Sequence, residues 1–316
     1  MSEGSDLVVV AVGGNSLTQP GQIGTLPEQR VNAQTTCAAI AGMVEMGYRV
    51  VLTHGNGPQV GNVLWRVELA AHQVYRLPLD VCGADTQGGI GYMLQQILGD
   101  ELRLRGLDDR VATVVTQVLV DSDDPDFQNP SKPVGPFMPE EMAKTQMGLG
   151  WQMIKVDSRG WRRVVPSPQP LRILEFDAIK AVVATGGVCI CTGGGGVPVY
   201  RDETGRTIGL QGVIDKDRAS CLLAKNLGAE RLVISTGVAE VRLDFDTPNE
   251  RPVREMTVDE AQAHLDAGQF PAGSMGPKIE AAINFLRAGG KRVLITDPPN
   301  LTAALDLKAG TVITAD

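Results

Sequence analysis

Short apolar runs rich in valine and isoleucine recur along the chain. Within each run the apolar residues do not alternate with polar ones, which is typical of strands that are buried on both faces of a parallel sheet. The runs predict strands over 7–12, 49–53, 111–118, 188–192, 231–236 and 292–296.

Helical patterns lie between the predicted strands, and several end at a glycine, which readily adopts the left-handed conformation that follows many helices. One pattern begins with Thr257 followed by Glu260, the spacing of a capping box. Strands that alternate with helices predict an α/β fold, a three-layer αβα sandwich around a central, mainly parallel sheet. The helices are predicted over 28–47, 58–75, 86–105, 175–185, 216–227 and 258–267.

The segment 121–170 interrupts this alternation. It is rich in proline, contains Trp151 and Trp161, and predicts a β-hairpin with strands over 152–156 and 161–165. We interpret it as a small inserted subdomain that protrudes from the sheet, since long insertions of this kind often act as lids. A surface loop without a function is the alternative.

Composition restricts the class of protein. The chain has 316 residues, 43% of them hydrophobic and 21% charged, which is ordinary for a folded globular protein. Its formal net charge of −8 argues against nucleic acid as a partner, because binding along a duplex requires a basic surface. An acidic protein can still bind a small anion, since a few lysines in one cleft focus positive potential.

The cysteines, the histidines and the N-terminus predict a reduced, cytoplasmic protein. The five cysteines include no CxxC pair, and Cys189 and Cys191 fit one face of a buried strand, so we expect free thiols rather than disulfides. The three histidines lack metal-ligand spacing, and we expect no protein-held metal. We expect no membrane contact, because the N-terminus lacks signal-peptide features and no apolar stretch approaches the roughly 20 residues of a membrane span.

Three predicted strands run directly into glycine-rich turns. Ligands of an open parallel sheet bind outside the carboxyl ends of its strands, where glycine lets backbone N–H groups approach an anion. Steric need alone explains a single such turn, but three at equivalent strand ends predict a site for a long polyanion. The turns lie at 13–15, 55–57 and 193–196.

Two common phosphate-binding motifs are absent from the sequence. The chain contains no G-x-x-x-x-G-K-[ST], which excludes a P-loop protein. The first predicted strand ends in GGNSLTQ rather than G-x-G-x-x-G, so a nicotinamide-dependent oxidoreductase is a poor alternative.

Four charged residues indicate phosphoryl transfer. Lys132 lies between two prolines in the inserted segment. Lys216 and Asp217 open one predicted helix, and Lys278 lies early in another. A lysine near a helix N-terminus is unfavourable against the helix dipole, and a bound anion would explain it, with ordinary surface lysines as the alternative. Phosphoryl transfer needs mainly positioning and positive charge, and an acceptor that is already an anion needs no general base.

Taken together, these motifs resemble carbamate kinases, within the amino acid kinase family, in order along nearly the whole chain. The most specific are SKPVGPF, RRVVPSPQP, VIDKD and GSMGPK, accompanied by VGGNSL, HGNGPQVGN and GGGGVPV. The resemblance implies one amino acid kinase domain over 1–316, with 121–170 as its protruding subdomain. It also implies a homodimer.

The implied reaction is reversible phosphoryl transfer between ATP and carbamate, which gives ADP and carbamoyl phosphate. The resemblance implies Mg²⁺ held by the nucleotide phosphates. Because carbamoyl phosphate is the high-energy partner, we expect the reaction to run toward ATP synthesis during breakdown of a nitrogen compound such as arginine.

The resemblance also implies roles for individual residues. The N-terminal part would bind carbamate or carbamoyl phosphate, and residues 212–316 the nucleotide. Lys132 would reach in from the protruding subdomain, and Asp217 would orient the lysines. Lys216 and Lys278 would neutralise the β- and γ-phosphates. The implied substrate and phosphate ligands are Gly13, Gly14, Asn15, Gly55, Asn56, Gly57, Gly194 and Gly195, and the implied nucleotide contacts are Thr236, Val238, Val241, Met275 and Lys278.

The sequence departs from the family pattern in places and leaves alternatives open. Ser16 stands where alanine is usual, Asp85 where methionine is more common, and Ala239 where an acidic residue is common. These departures concern substrate and nucleotide affinity rather than the type of reaction. Another acid or phosphate kinase of the same fold is one alternative, and a catalytically silent nucleotide-binding regulator is another. Lys132 in the inserted segment favours carbamate, and the intact lysines argue against a silent protein.

Overall fold

The computed structural model describes residues 7–19, 21–156, 159–271 and 273–316, without the side chains of Asn15 and Pro136. Within these residues the strands are β1 (Leu7–Val12), β2 (Arg49–His54), β3 (Val111–Thr113), β4 (Gln117–Leu119), β5 (Lys132–Met138), β6 (Met153–Val156), β7 (Gly160–Val165), β8 (Arg172–Ile173) and β9 (Val188–Ile190). They continue with β10 (Val197–Arg201), β11 (Thr207–Gly209), β12 (Arg231–Ser235), β13 (Val241–Leu243), β14 (Arg251–Val253), β15 (Glu255–Thr257), β16 (Arg292–Thr296) and β17 (Thr311–Thr314).

The largest sheet contains eight of these strands, in the order β15-β17-β16-β12-β1-β2-β9-β3. Neighbouring strands run parallel from β16 to β3. At the other edge β17 runs antiparallel to β16, and β15 is parallel to β17. This arrangement confirms the prediction of a central, mainly parallel sheet.

Helices cover both faces of this sheet. Consecutive residues of β1 face opposite sides, so Val9 packs in a cluster with Leu223 and Ile283, whereas Val10 packs in another with Cys37 and Leu94. Burial on both faces explains why the strand sequences are continuously apolar. The three-layer prediction is therefore confirmed. The helices are α1 (Leu26–Glu45), α2 (Gly57–Ala70), α3 (Leu79–Leu104), α4 (Glu140–Gly148), α5 (Phe176–Ala184), α6 (Lys216–Leu227), α7 (Val258–Asp266), α8 (Met275–Arg287) and α9 (Leu301–Leu305).

The capping-box signal in the sequence correctly predicted the start of one helix. Thr257 and Glu260 form the expected capping box at the start of α7. Helix α3 begins seven residues before its predicted start at position 86, within a glycine-containing stretch. No described helix is long and apolar enough to cross a membrane.

The predicted strand over 111–118 is wrong. The run instead forms β3 in the large sheet and β4 in a second sheet with the order β11-β10-β4-β8. The reason is Gln87 of α3, whose side-chain amide accepts from the backbone N–H of Thr116 at 2.8 Å and donates to its carbonyl at 3.0 Å. The bond from the Thr116 N–H occupies a backbone group that a continuous strand would use for sheet pairing, whereas the Thr116 carbonyl also accepts from the N–H of Val197 at 2.9 Å and so joins the second sheet.

The inserted segment contains a separate antiparallel sheet, which we call the protruding sheet, in the order β5-β7-β6. Pairing of β6 with β7 confirms the predicted hairpin, although turn residues 157 and 158 lie outside the described part of the chain. The protruding sheet packs on α2 through glycine, because a Cβ on Gly61 would lie only 2.2 Å from the Cα of Gly135. The position of β5 therefore depends on a close backbone contact with α2.

Candidate active site

A cavity of about 560 Å³ lies where the carboxyl ends of β1, β2 and β12 meet. The protruding sheet and the N-termini of α6 and α8 complete its wall. This is the edge of a parallel sheet at which ligands are expected. The sequence-predicted residues that line the cavity are Gly13, Gly14, Gly55, Asn56, Gly57, Lys132, Gly194, Lys216, Asp217, Thr236, Val238, Met275 and Lys278.

The turns after β1 and β2 pack backbone against backbone on the cavity wall. A Cβ on Gly55 would lie 2.9 Å from the backbone nitrogen of Gly14 and 3.3 Å from Cδ of Lys216. Only glycine at position 55 lets the two turns and the lysine stem approach this closely. The result is a wall in which backbone groups rather than side chains face a ligand.

The third glycine turn packs behind the second. Gly194 has a φ of +64°, and a Cβ there would lie 2.2 Å from Nδ2 of Asn56, whose amide donates to Thr86 Oγ1 at 2.8 Å. Gly195 is buried and does not line the cavity. The side chain of Asn15 lies outside the described part of the structure.

One carboxylate holds two lysines at the centre of the cavity. Asp217 Oδ1 lies 2.5 Å from the Nζ of Lys216, and Oδ2 lies 3.0 Å from the Nζ of Lys278. All three side chains are largely buried, with exposures of 3%, 11% and 14% for Asp217, Lys216 and Lys278. The bridge therefore fixes both ammonium groups beside the glycine turns.

Burial and charge act in opposite directions on this cluster. Burial alone would raise the pKa of the Asp217 carboxyl, but the charges of Lys216 and Lys278 outweigh it and hold that pKa well below its ordinary value. Burial lowers the pKa of Lys216, and the attraction of Asp217 opposes that shift. The carboxylate stays ionised at neutral pH, so it can keep orienting the lysines.

Lys132 reaches the same cavity from β5. Its Nζ lies 2.5 Å from Oδ2 of Asp215, the residue that caps the N-terminus of α6. Asp215 Oδ1 accepts from the backbone N–H of Asp217 at 2.8 Å. Burial and the nearby Asp217 charge raise the pKa of the Asp215 carboxyl, but Lys132 reverses the balance and the net shift is downward.

A further cation, Arg162 of β7, lines the cavity. Its Nε donates to the carbonyl of Gly135 at 3.0 Å, and its guanidinium lies 5.2 Å from the ring centroid of Phe137. Burial, followed by repulsion from Arg159, lowers the pKa of Arg162. No carboxylate among the described residues forms an ion pair with Arg162, so its charge is available to an anion.

The far end of the cavity is less polar. Thr236, Val238 and Met275 line it together with Phe245 and Phe270. Val241, predicted here from the sequence, lies outside the lining: its side chain is fully buried in the core, and its backbone N–H donates to Thr311.

Comparison with known proteins connects this geometry to a family. Residues 6–297 match the amino acid kinase family. The chain belongs to that family. It is 46% identical to the carbamate kinase of Pyrococcus horikoshii over 310 residues, which cover 97% of this chain and 98% of the relative. It is 47% identical to the carbamate kinase of Thermococcus kodakarensis over 311 residues, with the same coverage.

A solved structure gives the same result for the fold of this amino acid kinase. The carbamate kinase from Giardia lamblia bound to AMP-PNP superimposes with a TM-score of 0.92 at 42% identity, and the match covers 100% of both chains. The predicted amino acid kinase fold is therefore confirmed.

Sequence reasoning missed two charged residues in the site of this amino acid kinase. Asp215 carried a local signal, because aspartate directly before a helix is a preferred cap, but its partner Lys132 is 83 residues away. Arg162 opens the motif RRVVPSPQP, but the motif did not indicate a role for its side chain, since a charged residue in a hairpin strand is usually solvated. His54 is one of the three histidines without metal-ligand spacing. Its buried ring, whose pKa burial lowers to about 4, contacts the carbonyl of Gly55 rather than the cavity.

Proposed function

We propose that this protein is a carbamate kinase, which transfers a phosphoryl group reversibly between ATP and carbamate and gives ADP and carbamoyl phosphate. The observation that carries the proposal is the convergence of Lys132, Lys216 and Lys278 on one cavity whose remaining wall includes glycine turns. The full-length relatives that are named carbamate kinases support the same reaction.

The proposed chemistry needs charge rather than proton transfer. In the ATP-forming direction an oxygen of the ADP β-phosphate forms a bond to phosphorus. The bond between phosphorus and the carbamate oxygen breaks, and carbamate leaves as an anion. No proton moves in this step, so no general base is required. The ammonium groups of Lys216 and Lys278, oriented by Asp217, would stabilise the oxygens of the migrating group.

The two substrates would occupy opposite ends of the cavity. Carbamate or carbamoyl phosphate would lie by the turns at 13–15 and 55–57 and by Lys132. The nucleotide would lie on residues 212–316, with its base near Val238 and Met275, which line the less polar end. The AMP-PNP bound to the Giardia lamblia carbamate kinase supports a nucleotide in this fold.

The donor set of the cavity fits a metal that is carried by the nucleotide. In the described ranges no group of three or more His, Cys, Asp or Glu side chains could hold a metal. Both cavity aspartates, Asp215 and Asp217, are engaged by lysines. We therefore propose Mg²⁺ bound to the nucleotide phosphates, where it would neutralise part of their charge.

We also propose that the segment 121–170 acts as a lid, that the protein is a cytoplasmic homodimer, and that it makes ATP during breakdown of a nitrogen compound. Crystals grown with and without nucleotide would test the lid, and an identical position of the protruding sheet in both would contradict it. Light scattering of the purified protein would test the dimer.

ATP formation from ADP, carbamoyl phosphate and Mg²⁺ by the purified protein tests the proposed reaction. We expect Lys278→Ala to abolish turnover while thermal unfolding stays cooperative, because its ammonium would contact the phosphates. Lys291→Ala is the matched control, since that lysine is 68% exposed and pairs with Glu230 away from the cavity. Folded wild-type protein that forms no ATP would refute the proposal, and a panel of carboxylate acceptors with ATP would then seek another substrate.

A further inference from the structure

The side chain of Asp215 bonds both to the N-terminus of α6 and to the protruding sheet. Its Oδ1 accepts from the backbone N–H of Asp217 at 2.8 Å and of Arg218 at 3.3 Å, which caps α6. Its Oδ2 lies 2.5 Å from the Nζ of Lys132 on the protruding sheet. The two oxygens of one carboxylate therefore connect the helix that presents Lys216 to the strand that presents Lys132.

The surroundings of this contact make it more than a surface ion pair. The Asp215 side chain is 8% exposed and that of Lys132 is 35% exposed. A buried carboxylate whose oxygens are both hydrogen-bonded has little freedom to move. Lysine, in contrast, has a flexible four-carbon stem, so without a partner its ammonium would sample many positions.

The backbone contact below Lys132 does not by itself fix the ammonium. Close packing of Gly61 on Gly135 locates β5 relative to α2, but Lys132 lies at the first residue of that strand. Asp215, in contrast, is held by the N-terminus of α6, immediately before Lys216 and Asp217. The helix therefore holds the Asp215 carboxylate in place, and the carboxylate in turn holds the ammonium of Lys132.

We propose that Asp215 is a positioning residue that holds the ammonium of Lys132 over the cavity and keeps the protruding sheet aligned with α6. This inference rests on the proposed function, because it assigns Asp215 a role in the same phosphoryl transfer. Asp215 acts through Lys132 and need not touch the substrate.

Asp215→Asn separates this role from helix capping. Asparagine caps helices about as well as aspartate, and the Lys132 side chain is 35% exposed, so water can solvate its ammonium once the pair is lost. We therefore expect cooperative unfolding with a smaller loss of stability than in Asp217→Asn. The amide carries no charge to hold Lys132, and we expect kcat to fall about 10- to 100-fold, the order of loss that follows a small misplacement of a catalytic group. Asp215→Ser is a second capped variant whose side chain is too short to reach Lys132. Thr257→Ala, which removes the cap of α7 away from the cavity, should lower stability and leave kcat unchanged.

A double-mutant cycle with Lys132→Met tests whether Asp215 acts through Lys132. In the Lys132→Met background we expect Asp215→Asn to change kcat by less than about twofold, because the group that it positions is gone. A wild-type kcat in Asp215→Asn would overturn the proposal. So would an equal loss in both backgrounds, since Asp215 would then act independently of Lys132.

Labelling of Lys132 supplies a readout that does not depend on turnover. Acetic anhydride acetylates lysine amines that are not held in an ion pair with a carboxylate. Mass spectrometry of the digested protein gives the rate of acetylation at Lys132. We expect this rate to rise several-fold in Asp215→Asn and to stay unchanged at Lys291, because only Lys132 loses its carboxylate. An unchanged rate at Lys132 would refute the pairing. If wild-type protein forms no ATP but this rate rises, the proposed function fails and the pairing stands.

Discussion

At the scale of single residues, the ammonium groups of Lys216 and Lys278 share one buried carboxylate. Asp217→Asn would keep the shape of that side chain but leave two largely buried cations without a counter-charge. We expect kcat for ATP formation to fall at least about 100-fold. We also expect the free energy of unfolding at pH 7, measured in urea, to fall by about 3–5 kcal/mol, since removing one partner of a buried ion pair is strongly destabilising.

The pH dependence of that stability difference follows from the direction of the Asp217 shift. Its pKa is lower in the folded chain than in the unfolded chain, in which it is about 4. Its contribution is therefore complete above pH 4 and is lost as the pH falls through the folded-state pKa. We expect the stability difference between wild type and Asp217→Asn to shrink progressively below about pH 4. A constant difference between pH 7 and pH 3 would contradict this assignment.

Arg162 gives a second prediction at this scale. Its guanidinium lines the cavity from the protruding sheet, which also contains Lys132. We expect it to attract carbamoyl phosphate, the anionic phosphoryl donor. Arg162→Gln should raise the KM for carbamoyl phosphate about tenfold, the usual effect of losing one hydrogen bond to a charged group. The KM for ADP should change less than about twofold, because the nucleotide would bind at the other end.

Arg163→Gln is the matched control for Arg162→Gln. Arg163 follows Arg162 in β7, but its guanidinium stacks on Trp151, 4.2 Å from the ring centroid, and it lines a separate small cleft. Steady-state kinetics should therefore show little change in the control. Equal increases of the KM for carbamoyl phosphate in both variants would mean that the general charge of the protruding sheet matters, and not the position of Arg162.

At the scale of elements, the contact between α2 and β5 sets where the protruding sheet lies. Replacing glycine by alanine inside a helix normally stabilises the helix by about 1 kcal/mol. In Gly61→Ala, however, the new Cβ would lie 2.2 Å from the Cα of Gly135. Backbone cannot move aside as a flexible side chain does, so we expect a loss of stability of about 1–3 kcal/mol. Displacement of β5 should also move Lys132 and lower kcat about 10- to 100-fold.

Gly88→Ala in α3 is the control for this helix substitution. Gly88 is exposed and a Cβ there would meet no atom within 4 Å. Thermal unfolding should show a neutral or slightly stabilised protein with wild-type kcat. If Gly61→Ala behaved like Gly88→Ala in both measurements, the docking of the protruding sheet on α2 would not control Lys132.

At the scale of the whole molecule, the sequence encodes elements more clearly than their partners. The layered α/β fold could be predicted from the spacing of apolar residues, because a strand or helix that is buried on one or two faces has apolar residues at the matching sequence positions. The break between β3 and β4 did not, since it depends on Gln87, which meets Thr116 from 29 residues away. The Lys132–Asp215 contact spans 83 residues and was equally hidden. The glycine turns and the lysines could be identified from the sequence. Their partners could not, because tertiary packing determines which groups meet them.

The thiols give a prediction about the molecule as a whole. All five cysteines are free and buried. Burial raises the pKa of Cys37 to about 12 and of Cys221 to about 11, and burial together with Asp85 and Asp80 raises that of Cys82 to about 11. The thiolate, which is the reactive form, is therefore present at only about one part in a thousand at pH 8 for a pKa of 11.

We accordingly expect the native protein to react slowly with a thiol reagent such as 5,5′-dithiobis(2-nitrobenzoate), whereas all five cysteines should react at once in denaturing urea. Because reaction of the native chain requires local or global opening, its rate should rise with urea in parallel with unfolding. Rapid labelling of one equivalent at pH 8 without urea would show that the packed layers around the sheet open readily. Unlabelled native protein with full activity would show that the thiols fill the core and do not take part in turnover.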